Sequence, residues 1–244
     1  MSRGRILGMI TGPDTPELLR AAVRNNAEWC AAVTGGGTFT ADAWTSAHRT
    51  PPYYPDGVTL TPDASADGLL ACMDTHSPGC SVKDSFAALD LAPAGFEVLF
   101  GAEWIHRPAH APTPAASALA WTRVADPGEL AVWEAAWRGG GEGTGPFHPG
   151  LLTPEIAFLA GRSGDGRVVA GAAAYRTGAL VGLSNVFAAD GTCDDEAWSG
   201  ALAAVAGLWP GHAVVGYESG EDLERALRHG FAPLGPLRVW LRTA

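Results

Sequence analysis

The stretch VVGYESGEDLERALRHGFAPLGPLRVWLR, Val214 to Arg242, decides the fold. It opens as an apolar strand, His212 to Tyr217, and passes at Ser219 into a helix that this side chain can cap. Glu221 and Asp222 fall in the first turn, where the positive end of the helix favours carboxylates, Leu223 and Leu227 face the core, and Gly230 ends the helix. FAPLGPLRVWLR then reads as two extended pieces broken at Gly235-Pro236, since proline brings no donor to a ladder.

Working upstream, Asp194 and Asp195 can cap a preceding helix in which Trp198, Leu202, Val205 and Leu208 recur at helical spacing before Pro210. Three strands come before it, about Glu155 to Gly161, Arg167 to Tyr175 and Leu180 to Ala188, the first two joined by the Asp-Gly turn of RSGDGR and the next pair by Thr177-Gly178. ALAWTRV is a further strand, and a helix from Pro127 carries Leu130, Trp133 and Trp137 on one face until GGGEGTGP stops it. That loop lacks the closing Gly-Lys-Ser/Thr of a phosphate loop and is read as a connection. The central meander excludes a dinucleotide-binding doublet and predicts an α+β fold, a mixed sheet flanked by helices.

The first half begins with a helix over 16–33 whose stripe is Leu19, Ala22, Val23, Asn26, Cys30 and Val33. Asn26 is its polar exception, either an internally bonded amide or a pocket residue. Gly35-Gly36-Gly37 ends the helix, and a proline-stiffened loop follows in which Tyr53 and Tyr54 either line a cleft or pack the loop onto the body. GVTL, a short helix from Ala66 with Leu69, Leu70 and Met73, an extended CSVKDSF, a helical turn and EVLFGAEWIHR complete this half. Pro108, Pro112 and Pro114 mark a linker, so the chain divides into lobes 1–110 and 117–244 joined by 111–116.

Two segments answer one another. VKDSFAALDLAPAGFEVLFGAEWIHR and GYESGEDLERALRHGFAPLGPLRVWLR both run acid-Ser, short helix, Gly-Phe, apolar pair, Gly and a strand ending in arginine. Gly95-Phe96 matches Gly230-Phe231, and Asp84-Ser85 matches Glu218-Ser219, which predicts two related lobes about a pseudo-twofold axis. Residues 117–244 resemble the GCN5-related N-acetyltransferase (GNAT) fold, with GEDLERALRHGFAPLGPLRVW most like its last helix and closing strands; the first half resembles a shortened, diverged second copy.

The resemblance implies acetyl-coenzyme A or another acyl-coenzyme A held in a splay between Leu180–Ala188 and Ala213–Tyr217, against Val186, Phe187, Gly191 and Thr192. The family's pyrophosphate turn, Gln/Arg-x-x-Gly-x-Gly/Ala, works by aiming free N–H groups and a helix N-terminus at phosphate oxygens. The matching ADGTCDDEAW departs from it: one early glycine is followed by Asp194, Asp195 and Glu196, acids that repel a polyphosphate. The family's tyrosine acid, four residues before the Gly-Phe junction, is Ala226 here.

For acyl transfer to a small amine, Glu218 and Glu155 are the candidate bases and Asn185 the candidate polariser. Tyr53, Tyr54, Tyr175, Tyr217 and Asn26 are the candidate substrate contacts. The alternative is a non-catalytic, GNAT-like protein that holds a small polar ligand without any cofactor. Lys83 and Glu103 form a candidate ion pair, whereas Lys83-Asp84-Ser85 is no triad, because neighbours on a strand point to opposite faces. His48-Arg49 and the loop residue His148 lack sequence-local partners that orient a ring.

Composition narrows the classes further. With 244 residues, 47% of them apolar, the chain can bury a sizeable core, and Gly 32 with Pro 18 favours a turn-rich mixed fold. A net charge of −10 with dispersed basic residues argues against nucleic acid. Cys30, Cys72, Cys80 and Cys193 have no close pairing, so no metal is expected and free thiols are. MSRGRILGMI is too short for a secretory core and no apolar run spans a bilayer, which makes the cytoplasm the default and a membrane partner unexpected. Trp133, Trp198 and Trp209 bear on whether the chain is a monomer or a homodimer: exposed, they favour a dimer surface.

Overall fold

The computed structural model describes residues 15–112, 114, 117–140, 143, 145–189 and 191–243. The N-terminal MSRGRILGMI, three positions of the 111–116 linker and part of GGGEGTGP lie outside the described residues. The elements are α1 (Thr15–Thr34), β1 (Thr38–Phe39), β2 (Ala43–Thr45), β3 (Gly57–Thr59), α2 (Ala66–Leu70), β4 (Cys80–Asp84), a 3-10 turn (Ala92–Ala94) and β5 (Glu97–Arg107). The second half adds β6 (Ala120–Arg123), α3 (Pro127–Trp137), a second 3-10 turn (Pro149–Leu151), β7 (Ile156–Arg162), β8 (Val168–Thr177), β9 (Leu180–Ala188), α4 (Asp194–Leu208), β10 (Ala213–Glu218), α5 (Gly220–Arg228) and β11 (Ala232–Arg242).

All described strands join one mixed sheet in the order β1-β2-β3-β4-β11-β5-β10-β9-β8-β7-β6. Helices α1 and α3 cover one face, around Trp29, Trp104, Trp133 and Phe158, while α4 and α5 cover the other, around Trp198, Leu202, Ala226 and Phe231. Trp133 and Trp198 are thus core residues with their rings inside, and Trp209 is half-buried. Trp133 donates its indole N–H to Leu159 O at 2.8 Å, which satisfies the polar edge of a buried indole.

The centre of the sheet is where the two halves meet. β11 lies between β4 and β5, and β5 lies between β11 and β10, so each half contributes its last strand to the other half's edge. The registers are alike on the two sides: β10 pairs antiparallel with β5 at Glu218 opposite Glu103, and β4 pairs antiparallel with β11 at Asp84 opposite Arg238. The matched junctions are alike too, Gly95 at φ 81° and Gly230 at φ 86°, each a left-handed turn followed by a buried phenylalanine.

Two local expectations are corrected. The C-terminal stretch is one strand, not two; β4 pairs only with Arg238–Arg242, so Pro233 and Pro236 fall where β11 has a ladder on one side alone, and a register shift between Pro233 and Gly235 absorbs the irregularity. Lys83 and Glu103 do not pair, because β11 stands between the strands that carry them. Asp84 and Ser85 are structural: Asp84 accepts from the amides of Ala88 and Leu89, and Ser85 N donates to Thr59 Oγ1.

The strands that frame the site separate early. β9 and β10 pair in parallel only from Leu180/Ala213 to Gly182/Val215. At that fork Gly182 faces the side chain of Asn25, which is fixed by donating to Tyr175 O (3.0 Å) and Thr177 Oγ1 (2.8 Å). A Cβ on residue 182 has no room unless that amide leaves its partners. Gly182→Ala is therefore expected to cost about 1–3 kcal/mol, measured as a fall in denaturation midpoint at unchanged m-value; an unaltered midpoint contradicts it.

Candidate functional site

Beyond the fork, β9 carries a bulge. Gly171 of β8 pairs with Phe187 and Ala173 with Ser184, which leaves an extra residue in β9. Asn185 occupies it at φ 54°, a left-handed conformation that asparagine tolerates better than most residues and that costs energy unless the surroundings hold it. Ser184 Oγ donates to Asn185 Oδ1 at 3.0 Å, which commits the carbonyl and leaves the amide nitrogen as the free end of the side chain.

Asn185 opens onto a chamber of about 150 Å³ between α1, the tyrosine loop and the ends of β4, β9 and β10. Asn26, Tyr53, Tyr54, Tyr217 and Glu218 line the same space, so six candidates scattered over the sequence come together here. An outer, largely apolar chamber of about 680 Å³ adjoins it through Tyr53, Tyr54, Lys83, Asn185 and Tyr217 and is walled by Leu99, Phe100, Trp137 and Leu241. The two tyrosines divide their roles. Tyr53, 83% exposed and at φ 74°, lies edge-on to Trp137, whereas Tyr54 is 7% exposed.

Other candidates stand elsewhere. Glu155 is exposed just before β7, paired with Arg176 at 3.7 Å, and does not line the chamber. Tyr175 lies behind Trp29, at 6.4 Å between ring centroids, in a small hollow next to Asn26. Val186 packs toward the α4 face and Phe187 against Trp133. Thr192 N already donates to Ala189 O at 2.9 Å, and Gly191 forms the left-handed turn between them. His48 and His148 are exposed, and Arg49 anchors its loop by donating to Asp56 and to the carbonyls of Asp74 and Ser77.

Trp29, Cys30 and Lys83 also line the chamber, although the sequence offers Lys83 only as an ion-pair partner of Glu103 and Cys30 only as part of the α1 stripe. Lys83 is 3% exposed; its ammonium donates to Asn26 Oδ1 at 2.7 Å and lies 4.3 Å from the ring centre of Tyr217. Burial works against its charge, but Tyr217 and Cys30 outweigh burial and hold its pKa above the ordinary lysine value. Trp29 and Cys30 complete the α1 wall, and burial raises the Cys30 thiol. Helical periodicity could have offered Trp29, one residue before Cys30 on the stripe; Lys83 is offered with Glu103 as its partner, whereas its partner is Asn26.

The electrostatics of the chamber are uneven. Burial, with Asp222 adding to it, pushes the Glu218 carboxyl from its ordinary value to about 8. Although some of its surface reaches solvent through the cleft, its surroundings are mostly protein, so the direction of the shift follows from desolvation. Burial likewise raises the Tyr54 phenol well above its usual range, with Cys30 and Tyr217 contributing. Trp29 and Asn185 lie near enough to bias that phenol the other way, yet its hydroxyl has no hydrogen-bond partner among the described residues.

On the opposite face, the entrance to α4 has three acids, each engaged. Asp194 pairs with Arg225 at 3.0 Å, Asp195 with Arg228 at 3.1 Å and His229 at 3.3 Å, and Glu196 accepts from Ala118 N at 2.8 Å and Ser117 Oγ at 3.2 Å. Arg225 is shared with Glu221 and Asp222, so two guanidiniums face five carboxylates and the corner stays negative. The separated strands β9 and β10 suit the slender amide chain of an acyl-pantetheine, because the β9 edge beyond Gly182 has no β10 partner. The α4 corner does not suit a diphosphate: its turn amide at Thr192 is spent and its charge has the wrong sign.

Among the described residues no helix is long and apolar enough to cross a membrane. No family model matches the sequence and no curated protein is matched by it. Solved structures do resemble it. A GCN5-related N-acetyltransferase from Kribbella flavida is 13% identical with TM-score 0.66, the likeness covering 93% of this chain and 96% of that one. A conserved protein of unknown function from Staphylococcus epidermidis is 11% identical with TM-score 0.61, over 85% and 93%. A GNAT-family acetyltransferase structure from Novosphingobium aromaticivorans is 16% identical with TM-score 0.56, over 91% and 99%. At these identities the likeness establishes the architecture, and it runs through both halves: the chain has the mixed sheet flanked by helices of the GNAT acetyltransferases.

Proposed function

We propose that this chain is an acyltransferase that moves an acyl group from a thioester onto a small amine held in the chamber. The observation that carries the reading is the grouping of Glu218, Asn185 and Tyr217 at the point where β9 and β10 separate. A bound acyl thioester supplies the activated carbonyl. Glu218 takes a proton from the acceptor nitrogen, and its raised pKa suits it to do so near neutral pH. The Asn185 amide, held by Ser184, is a donor for the carbonyl oxygen as it gains charge. The net change is one C–N bond made and one C–S bond broken, with the proton on Glu218 and the leaving sulfur protonated by solvent, since Ala226 offers no acid.

The negative α4 corner favours a second reading, a protein that holds a small ligand and has given up the cofactor. One experiment separates the two: release of thiol and mass of product, with acetyl-coenzyme A or acetyl-pantetheine as donor and a panel of primary amines. The acyltransferase reading expects product from both donors, with apparent affinities within about tenfold of each other (1.4 kcal/mol), because the nucleotide part meets unbalanced acids. Product from neither donor sinks it. The matched registers and glycine-phenylalanine junctions support a further proposal, that the two lobes are diverged copies of one unit.

A further inference from the structure

We infer that the acceptor is an amino carboxylate with an apolar side chain, its carboxylate seated between Lys83 and the Tyr54 hydroxyl, its amine toward Glu218 and its apolar body in the outer chamber. The inference rests on the acyltransfer reading only for the role of the amine. The carboxylate follows from two buried groups with spare hydrogen-bonding capacity. An ammonium has three donors; that of Lys83 spends one on Asn26 and turns another side to Tyr217, which leaves capacity over, and among the described residues no carboxylate lies within ion-pair distance of it. A cation buried to this degree is costly unless an anion or a set of acceptors answers it. The hydroxyl of Tyr54, equally buried, has no partner and lines the same two chambers as Lys83. A carboxylate offers acceptors to both.

Geometry supplies the rest of the ligand. Glu218 lines the inner chamber with Lys83 but is absent from the walls of the outer one, so a molecule reaching both side chains places its charged end inside. The outer chamber meets it with Leu99, Phe100, Trp137 and Leu241, a lining for an aliphatic or aromatic side chain.

The test is calorimetric titration of the whole chain, without acyl donor, with L-phenylalanine, phenethylamine and 3-phenylpropanoate at pH 9, above the titration of Glu218. L-Phenylalanine is expected to bind about 10- to 100-fold more tightly than phenethylamine, the worth of a hydrogen bond to a charged group, and more tightly than 3-phenylpropanoate. Lys83→Met should remove the advantage over phenethylamine. It is expected to fold, since it replaces a charge without a carboxylate partner by an apolar chain of similar length. Tyr54→Phe, which keeps the ring, should weaken the two carboxylates, L-phenylalanine and 3-phenylpropanoate, and leave phenethylamine unchanged. Equal binding of L-phenylalanine and phenethylamine, no binding of any of the three, or unchanged L-phenylalanine affinity in both variants overturns the inference. Transfer to phenethylamine with no preference for the amino acid leaves the acyltransferase standing and removes this ligand; L-phenylalanine binding without transfer from any thioester does the reverse.

Discussion

In the Glu218→Gln variant, acyl transfer is expected to fall by about 10²- to 10⁴-fold, the usual contribution of a general base, while the folded protein becomes more stable at alkaline pH. Both follow from the same burial. A carboxyl whose folded pKa is about 8, raised from its ordinary value, binds its proton more tightly folded than unfolded. Its contribution to stability is fully present below the unfolded pKa, declines as pH rises between the two values and is lost above about 8. Glutamine has no proton to lose, so the variant should gain over the parent by an amount that is near zero at pH 4 and reaches a few kcal/mol at pH 9, less whatever the open cleft screens. In the parent, transfer should rise with pH through about 8 as Glu218 ionises, and the variant should lack that limb. A variant that keeps the parent's activity and pH profile removes Glu218 from the chemistry. One that loses activity and is destabilised equally at pH 5 and pH 9 indicates a structural role instead.

Much of the second half could be read locally. The Asp-Gly hairpin, the Pro127 helix start and the Ser219-to-Gly230 helix each depend on residues within a turn or two of one another, and the strands and helices stand close to where those signals put them, although the Ser219 side chain makes no capping bond and Leu227 is exposed while Ala226 is the buried residue of that helix. The short strands β1 and β2 were missed, since two or three residues cannot establish a period. The central strand order was missed for a different reason. The repeat of Gly-Phe junctions indicates that two segments are alike, but not that each closing strand pairs with its counterpart. Proline at 233 and 236 made a break look necessary, because the absence of a neighbour on one side of β11 is a fact of the sheet.

The same contrast applies to the site. Asn185 and Tyr217-Glu218 could be picked out as polar residues at strand ends, and Asn26 as a polar interruption of an apolar stripe. Lys83 could not. In CSVKDSF it looks like an ordinary strand lysine, and its burial depends on α1, 57 residues away in sequence, bringing Asn26 over it. The functional reading therefore gains its charged anchor only when α1, β4 and β10 are seen together.

The interleaved centre of the sheet makes a strong demand on folding. Residues 117–244 expressed alone are expected not to give a stable monomer, although they contain every element of the second lobe. Without β5, the Val214–Glu218 ladder of β10 and the Ala232–Leu241 ladder of β11 both lose their partner, and a gap opens in the middle of the sheet rather than at its edge. Trp104 and Ile105 of β5 are buried on opposite faces, so both cores are opened as well. Losing two such side chains costs roughly 4–10 kcal/mol at 2–5 kcal/mol each, comparable with the whole stability of a domain. The exposed ladders then invite pairing with a second copy. Supplying residues 1–110 in trans should restore a 1:1 complex with native far-ultraviolet circular dichroism and a cooperative melt. Sedimentation of 117–244 as a monomer, with a cooperative thermal transition of its own, would mean that the second lobe closes its sheet without the first and that the exchange of strands is dispensable.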